Sequence, residues 1–261
     1  MTQPLHLSRV RLKSLRGEAL ASIARLLMPA DPQQRPGHAH RVLWLLFQDV
    51  PDTTRDFLWR DEGEGKFMLL SQRPPTDPNG LFEVQTKEFA PELEPGDRLS
   101  FVLRANPTVA VKEARPDAEG ASATSSSRGK RVDVVMRALH SVPRTEWDET
   151  TRRPVAGRAL ERDRIASQAA GDWLVGQAGK AGLAVEPASI SVSNYVQIPL
   201  DRRSFQERRA AGKSGRPGGF STVDMAGTSV VTDPTLFLAK LARGFGSAKA
   251  FGCGLMLIRR A

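Results

Sequence analysis

Four glycines fall within the last eighteen residues, GFGSAKAFGCGLMLIRRA, at Gly244, Gly246, Gly252 and Gly254. Lys249 lies among them, with Arg259 and Arg260 just beyond. A backbone stripped of side chains and flanked by cations lets a polyanion approach closely. Upstream, DPTLFLAKLAR predicts a helix with Asp233 as N-cap, Pro234 at its first position and Gly244 just past its end. The order is therefore helix, glycine loop, strand. Dinucleotide fingerprints and Walker loops need strand, glycine loop, helix, so that a helix N-terminus meets the phosphate. Both are excluded. The same residues also read as a glycine-punctuated turn into an edge strand, with no ligand involved.

Charge points the same way as the tail. The 261-residue chain has 38 Lys and Arg against 29 Asp and Glu, a formal net charge of +9. Such an excess suits an anionic partner, most commonly nucleic acid. An arginine-preferring proteome would raise the charge without any binding role, but the cations cluster. They gather in RGKR, which includes Lys130 and Arg131, at Arg202 and Arg203, and at Arg208, Arg209, Lys213 and Arg216. These stretches are rich in Gly and Ser, as expected of loops that track a phosphate backbone. No amphipathic basic helix with large apolar anchors stands out, which disfavours a membrane surface. No apolar run approaches the roughly 18 residues of a membrane span, and MTQPLHLSRVRLKSL lacks a secretory signal's apolar stretch. The single cysteine, Cys253, excludes an internal disulfide and a cysteine-based zinc site, and suggests a reducing cytoplasm.

The elements that must position these residues follow from periodicity. Residues 5–12 alternate as a strand, and 18–27 suggest a short helix. Residues 36–47 predict a helix burying Ala39, Val42, Leu43, Leu46 and Phe47 on one face. Segments 57–60 and 66–72 read as a hairpin around Gly-Glu-Gly, and a brief loop or helix leads to a strand at 81–89. Residues 91–97, PELEPGD, read as a linker. A second series follows: a strand at 99–105, a Gly/Ser/Ala-rich loop over 112–130, a strand continuation at 132–136, and a helix over 162–179. Then come a strand at 190–198, a basic hairpin over 201–218, a strand at 220–231, the capped helix and a last strand at 254–259. Each series is βαββαβ. The expected class is α+β, with tandem ferredoxin-like domains at 1–92 and 97–261.

With these stretches on the page, the chain resembles the CasE family, the repeat-processing endoribonucleases of the type I-E CRISPR Cascade complex. The resemblance rests on GFGSAKAFGCGLMLIRR, LHLSRVRL, the His-bearing AHRVLWLLF, RLSFVLRANPT and GKRV, which occur in the family's order along nearly the whole chain. It implies two ferredoxin-like domains that bind a CRISPR repeat stem-loop and cut on the 3′ side of its base. It also implies no metal and no cofactor, with the crRNA and other Cascade subunits as partners.

Cleavage of that kind uses the neighbouring 2′-OH as nucleophile. It needs a proton acceptor or donor and a cation for the phosphorane, in backbone geometry held for in-line attack. His40 matches the family's catalytic histidine. The helix reading places it in the first turn or two, where the positive dipole end favours a neutral imidazole able to accept a proton. On residue type alone it would read as a half-exposed surface histidine. His38 lies about 200° around the helix from His40, poorly placed to share a metal, and reads as solvent-exposed. His6 falls on the first strand, and His140 in an irregular segment. Some relatives carry a tyrosine three residues before the catalytic histidine; here that residue is Gly37, and the only tyrosine is Tyr195. WLVGQ at 173–177 also lacks a paired-arginine step of relatives. RNA contact is expected at Arg41, Lys130, Arg131, Arg202, Arg203, Arg208, Arg209, Lys213 and Lys249; the hairpin resembles the family's RNA-contacting region, and with the tyrosine missing one of its arginines is the candidate to stabilise the phosphorane. Two other readings stay open: a catalytically silent RNA-hairpin-binding subunit, and an assembly protein whose basic loops dock an acidic partner.

Overall fold

The computed structural model describes residues 4–13, 35–48, 56–111, 129–143, 145–148, 150, 152–155, 157–199 and 219–261. The 18–27 helix, most of the 112–130 loop and the basic hairpin with Arg202, Arg203, Arg208, Arg209 and Lys213 lie outside the described residues.

The first sheet joins β1 (Leu5–Leu12), β2 (Phe57–Gly63), β3 (Lys66–Ser71) and β4 (Phe82–Phe89) in the order β2-β3-β1-β4, antiparallel throughout. The helix α1 (Arg35–Trp44), extended by a 3-10 turn at Leu45–Phe47, covers one face. The five predicted face residues, Ala39, Val42, Leu43, Leu46 and Phe47, are all buried, packed on Val10, Phe67, Leu69 and Phe82. That stripe of helical period drives α1 onto the sheet. Between β3 and β4 the chain makes a turn where the repeat would place a second helix. The Asp77 carboxylate pins it, accepting from the backbone N–H groups of Leu81 (3.1 Å) and Phe82 (2.8 Å).

The second sheet is built on β5 (Arg98–Ala105). It runs β10 (Leu183–Val185), β12 (Gly219–Val231), β5, β13 (Met256–Arg260), with β11 (Ser191–Pro199) also paired to β12. Strand β12 is long enough to hold both short strands on one edge: β10 takes its C-terminal end and β11 the rest. The strand order is again ferredoxin-like, with one position split in two. Helices α3 (Gly157–Gly179) and α4 (Pro234–Arg243) supply Trp173, Leu174, Phe237 and Leu241 to a core completed by Leu99, Phe101, Leu103 and Met225. α4 starts as predicted, with Asp233 Oδ1 accepting from the Leu236 N–H at 2.9 Å.

The structure corrects the reading of 132–136. Lys130–Asp133 forms β7, paired with β6 (Thr108–Val111), and Val134–Leu139 forms a helix, α2. Asp133 ends the strand because its carboxylate caps the helix, accepting from Met136 N–H at 2.8 Å; the capping bond outweighs the strand preference of two valines. His140 is the C-cap of this helix. A hairpin of β8 (Glu146–Asp148) and β9 (Arg153–Val155) was not predicted, and α3 begins five residues earlier than expected, at Gly157. A third apolar cluster joins the two domains, with Leu58 and Leu70 of the first sheet against Leu255, just before β13, and Leu257 within it.

Candidate functional site

Edge strand β2 organises the site through four successive residues. Phe57 and Trp59 face α1, while Leu58 and Arg60 face the second domain. The glycine-rich segment after α4 wraps this strand from both sides. A Cβ at Gly244 would stand 2.9 Å from Leu58 Cδ1, and one at Gly252 would stand 3.0 Å from the Trp59 ring. Both residues have left-handed backbone, φ +77° and +80°. Gly246 and Gly254 are hemmed in by Asn106 O and Phe245 O, each 2.8 Å from a would-be Cβ. Gly244 and Gly252 thus let the second domain close onto the side chains of β2, while Gly246 and Gly254 let the segment fold tightly within its own domain.

Between Gly246 and Gly252 the chain makes a 3-10 turn, Lys249–Phe251, that packs against α1. A Cβ at Gly37 would lie 4.0 Å from Phe251 Cε1, so an aromatic ring of the loop adjoins the position where some relatives carry tyrosine. Lys249 heads that turn. The structure therefore brings Lys249 and the helix of His40 together from opposite ends of the sequence.

His40 occupies the second turn of α1 and is half-buried. Its ring centroid is 6.1 Å from both Trp44 and Phe57. Four residues on, the Trp44 indole N–H donates to His40 Nε2 at 3.2 Å. An indole can only donate, so Nε2 presents a lone pair in this arrangement. Phe57 stacks on Phe47 at 4.6 Å and meets Trp44 edge-on at 5.3 Å, walling the imidazole on its inner side. The sequence reading missed Trp44, although its four-residue spacing from His40 is the signal that finds it. Arg41, the next residue on the helix, is exposed. His38 is half-buried rather than solvent-exposed. Lys130 and Arg131 are exposed on β7.

An ion cluster ties the two domains beside the glycine segment. Arg104 of β5 grips Asp224 of β12 with two bonds of 2.8 Å. Arg60 of β2 approaches the same carboxylate at 3.8 Å, and Asn194 Nδ2 donates to it at 3.1 Å. Burial pushes Asp224 upward, but the hydrogen bonds and charge of Arg104 outweigh it and hold the carboxyl below its ordinary value. The Asp224 hydrogen bonds in turn raise Arg104. Cys253 lies nearby, and burial pushes its thiol up to about 12. Arg260 is tied to the linker, donating to Glu92 O at 3.0 Å. Among the described residues no three His, Cys, Asp or Glu side chains gather as a metal site, and no helix is long and apolar enough to cross a membrane.

Two ferredoxin-like domains, locked by a glycine-rich segment that carries a lysine to a histidine-bearing helix, define the class. A profile of the family described as CRISPR associated protein matches residues 5–260, and the chain belongs to that family. It is 28% identical over 224 residues to the CRISPR system Cascade subunit CasE of Escherichia coli K12, covering 83% of this chain and 88% of that protein. Among solved structures, CRISPR endoribonuclease Cse3 bound to a 19-nucleotide RNA superposes with a TM-score of 0.60 at 22% identity, covering 99% of this chain and all of that one. Thermus thermophilus Cse3 bound to an RNA representing a pre-cleavage complex gives 0.58 at 21% identity over 98% of this chain and 99% of that one. E. coli K-12 Cas6e gives 0.51 at 23% identity over 98% of this chain and 100% of that one. At these identities the structural likeness establishes the fold, the tandem ferredoxin-like pair.

Proposed function

We propose that this protein is an endoribonuclease that binds the repeat stem-loop of a CRISPR precursor RNA and cuts at the 3′ side of the stem base. It works in the cytoplasm and stays on the product as a Cascade subunit. The observation that carries this reading is that the helix bearing His40, whose Nε2 lone pair faces the Trp44 indole, packs against the Lys249–Phe251 turn of the other domain. Membership of the family, and a relative named as the Cascade subunit CasE, support the substrate.

In the reaction, the substrate's 2′-OH displaces the Trp44 indole from His40 Nε2 and gives up its proton there. The 2′ oxygen attacks the adjacent phosphorus, the P–O5′ bond breaks, the 5′ oxygen takes a proton from water, and His40 returns its proton to solvent. The products are a 2′,3′-cyclic phosphate and a 5′-OH. Lys249 and Arg41 supply positive charge toward the phosphorane. No step calls on a metal or a cofactor. Arg131 and Lys130 on β7 meet phosphates of the stem, since A-form RNA is read chiefly through shape, phosphates and 2′-OH groups.

The test is incubation with an end-labelled repeat hairpin in EDTA, with the product ends analysed. A 2′,3′-cyclic phosphate at one position supports the reading. Tight binding without product supports the silent RNA-binding subunit instead, which the phenyl ring beside Gly37, in place of a tyrosine hydroxyl, favours. RNA binding that neither weakens steeply with ionic strength nor prefers the cognate hairpin in a filter-binding series across salt would indicate the assembly protein.

A further inference from the structure

Between β7, the end of β11 and the start of β12 in the second domain lies a groove of about 570 Å³. We infer that it takes the first unpaired nucleotide on the 3′ side of the stem, with the base stacked on Phe220; this rests on the RNA-processing reading above. Its volume falls within the roughly 300–1,000 Å³ of sites that enclose small ligands. Its lining includes Phe220, Arg131, Asp133, Thr108, Gln197 and Ser247. That set combines an aromatic face, a cation and several hydrogen-bonding groups, the chemistry that holds an unstacked base and its phosphate.

Two features make the groove a built site. Its floor is rigid: buried Asn106 donates to Ser221 O at 2.6 Å and accepts from Ser247 Oγ at 2.5 Å, and Ser247 bonds Thr108 Oγ1 at 2.8 Å. Asp133 accepts from the Ser221 hydroxyl, from Tyr195 OH at 3.3 Å and from Met136 N–H at 2.8 Å. Burial pushes the Tyr195 hydroxyl up to about 12, so it remains a donor at neutral pH. These bonds fix the shape of the groove before a base arrives.

The second feature is continuity with His40. Phe220 stacks on Phe251 with centroids 4.8 Å apart, and Phe251 lies under Gly37 in the first turn of α1. An aromatic pair therefore runs from the helix of the proposed proton acceptor to the groove. A strand whose scissile phosphate sits at His40 can lay its neighbouring base on Phe220.

The experiment compares binding of two repeat hairpins, each with a 2′-deoxy sugar at the cut position to block cleavage. One ends at the stem base and the other continues by a few unpaired 3′ nucleotides. The extended hairpin is expected to bind roughly 5- to 100-fold tighter. Making its first unpaired nucleotide abasic, or using Phe220→Ala, removes that gain while leaving the blunt hairpin's affinity unchanged. Phe220→Tyr keeps it. Equal affinity for blunt and extended hairpins, or no loss on the abasic change, overturns the groove assignment and leaves the nuclease reading standing. If neither hairpin outcompetes an unrelated RNA of the same length, the nuclease reading falls and the groove assignment with it.

Discussion

Trp44 and His40 are one helical turn apart, and the indole of the first points its N–H at Nε2 of the second across 3.2 Å. Trp44 is thereby placed as a positioning residue: its N–H marks the imidazole nitrogen that carries a lone pair, and in the proposed reaction it gives way to the 2′-OH. Trp44→Phe keeps the ring packing on Phe57 and removes the donor. A neutral hydrogen bond is worth about 0.5–1.5 kcal/mol, so single-turnover cleavage is expected to slow by roughly 2- to 12-fold with hairpin affinity unchanged. Faster cleavage would show that the cost of displacing the indole outweighs what it contributes by holding the ring.

His40→Ala is expected to bind the hairpin as the parent does and to lose about 10² to 10⁴ in cleavage rate. Quantifying product in a single-turnover time course, alongside filter binding, decides it. Cleavage at the parent rate would remove His40 from the chemistry.

Gly252→Ala and Gly244→Ala each set a methyl at 3.0 Å or less from a side chain of β2, at a backbone angle that L residues rarely adopt. Each is expected to destabilise by about 1–3 kcal/mol. Gly176→Ala provides the contrast: within α3, nothing lies within 4 Å of its would-be Cβ. That change is expected to stabilise by about 0.5–1 kcal/mol. Urea unfolding midpoints compare the three.

Asp224→Asn breaks the clamp between Arg60 and Arg104, with an expected cost of about 1–3 kcal/mol at neutral pH. The sign of the pH dependence follows from the carboxyl being held below its ordinary value. Its contribution is complete above the unfolded value of about 3.9 and is lost as pH falls through the lower folded value. The stability gap between parent and variant should therefore close under acid. A gap that stays constant down to pH 2 would contradict the assignment.

Cys253 is fully buried, and its thiol is pushed up to about 12, so almost none is thiolate at pH 8. The folded protein should resist a thiol-reactive chromophore, while the unfolded protein reacts with one equivalent. Rapid labelling of the native state would mean that the glycine segment opens.

Local chemistry made part of this protein legible in its sequence. The helical stripe from Ala39 to Phe47, the strand β1, the Asp233 cap and the helix stop at Gly244 depend on near neighbours, and the structure shows each of them. His40 became a candidate through resemblance, since residue type alone cannot separate a proton acceptor from a surface imidazole. Where two local preferences conflict, as at Asp133, sequence reading followed the valines and the structure followed the cap. What no local rule contains is which distant segments meet. The splitting of one strand position into β10 and β11, the closure of Gly244 and Gly252 around Leu58 and Trp59, and the arrival of Lys249 at the helix of His40 were decided in three dimensions. The last two arise because β2 carries apolar residues on both of its faces, and the glycines were small enough to let the second domain close over them.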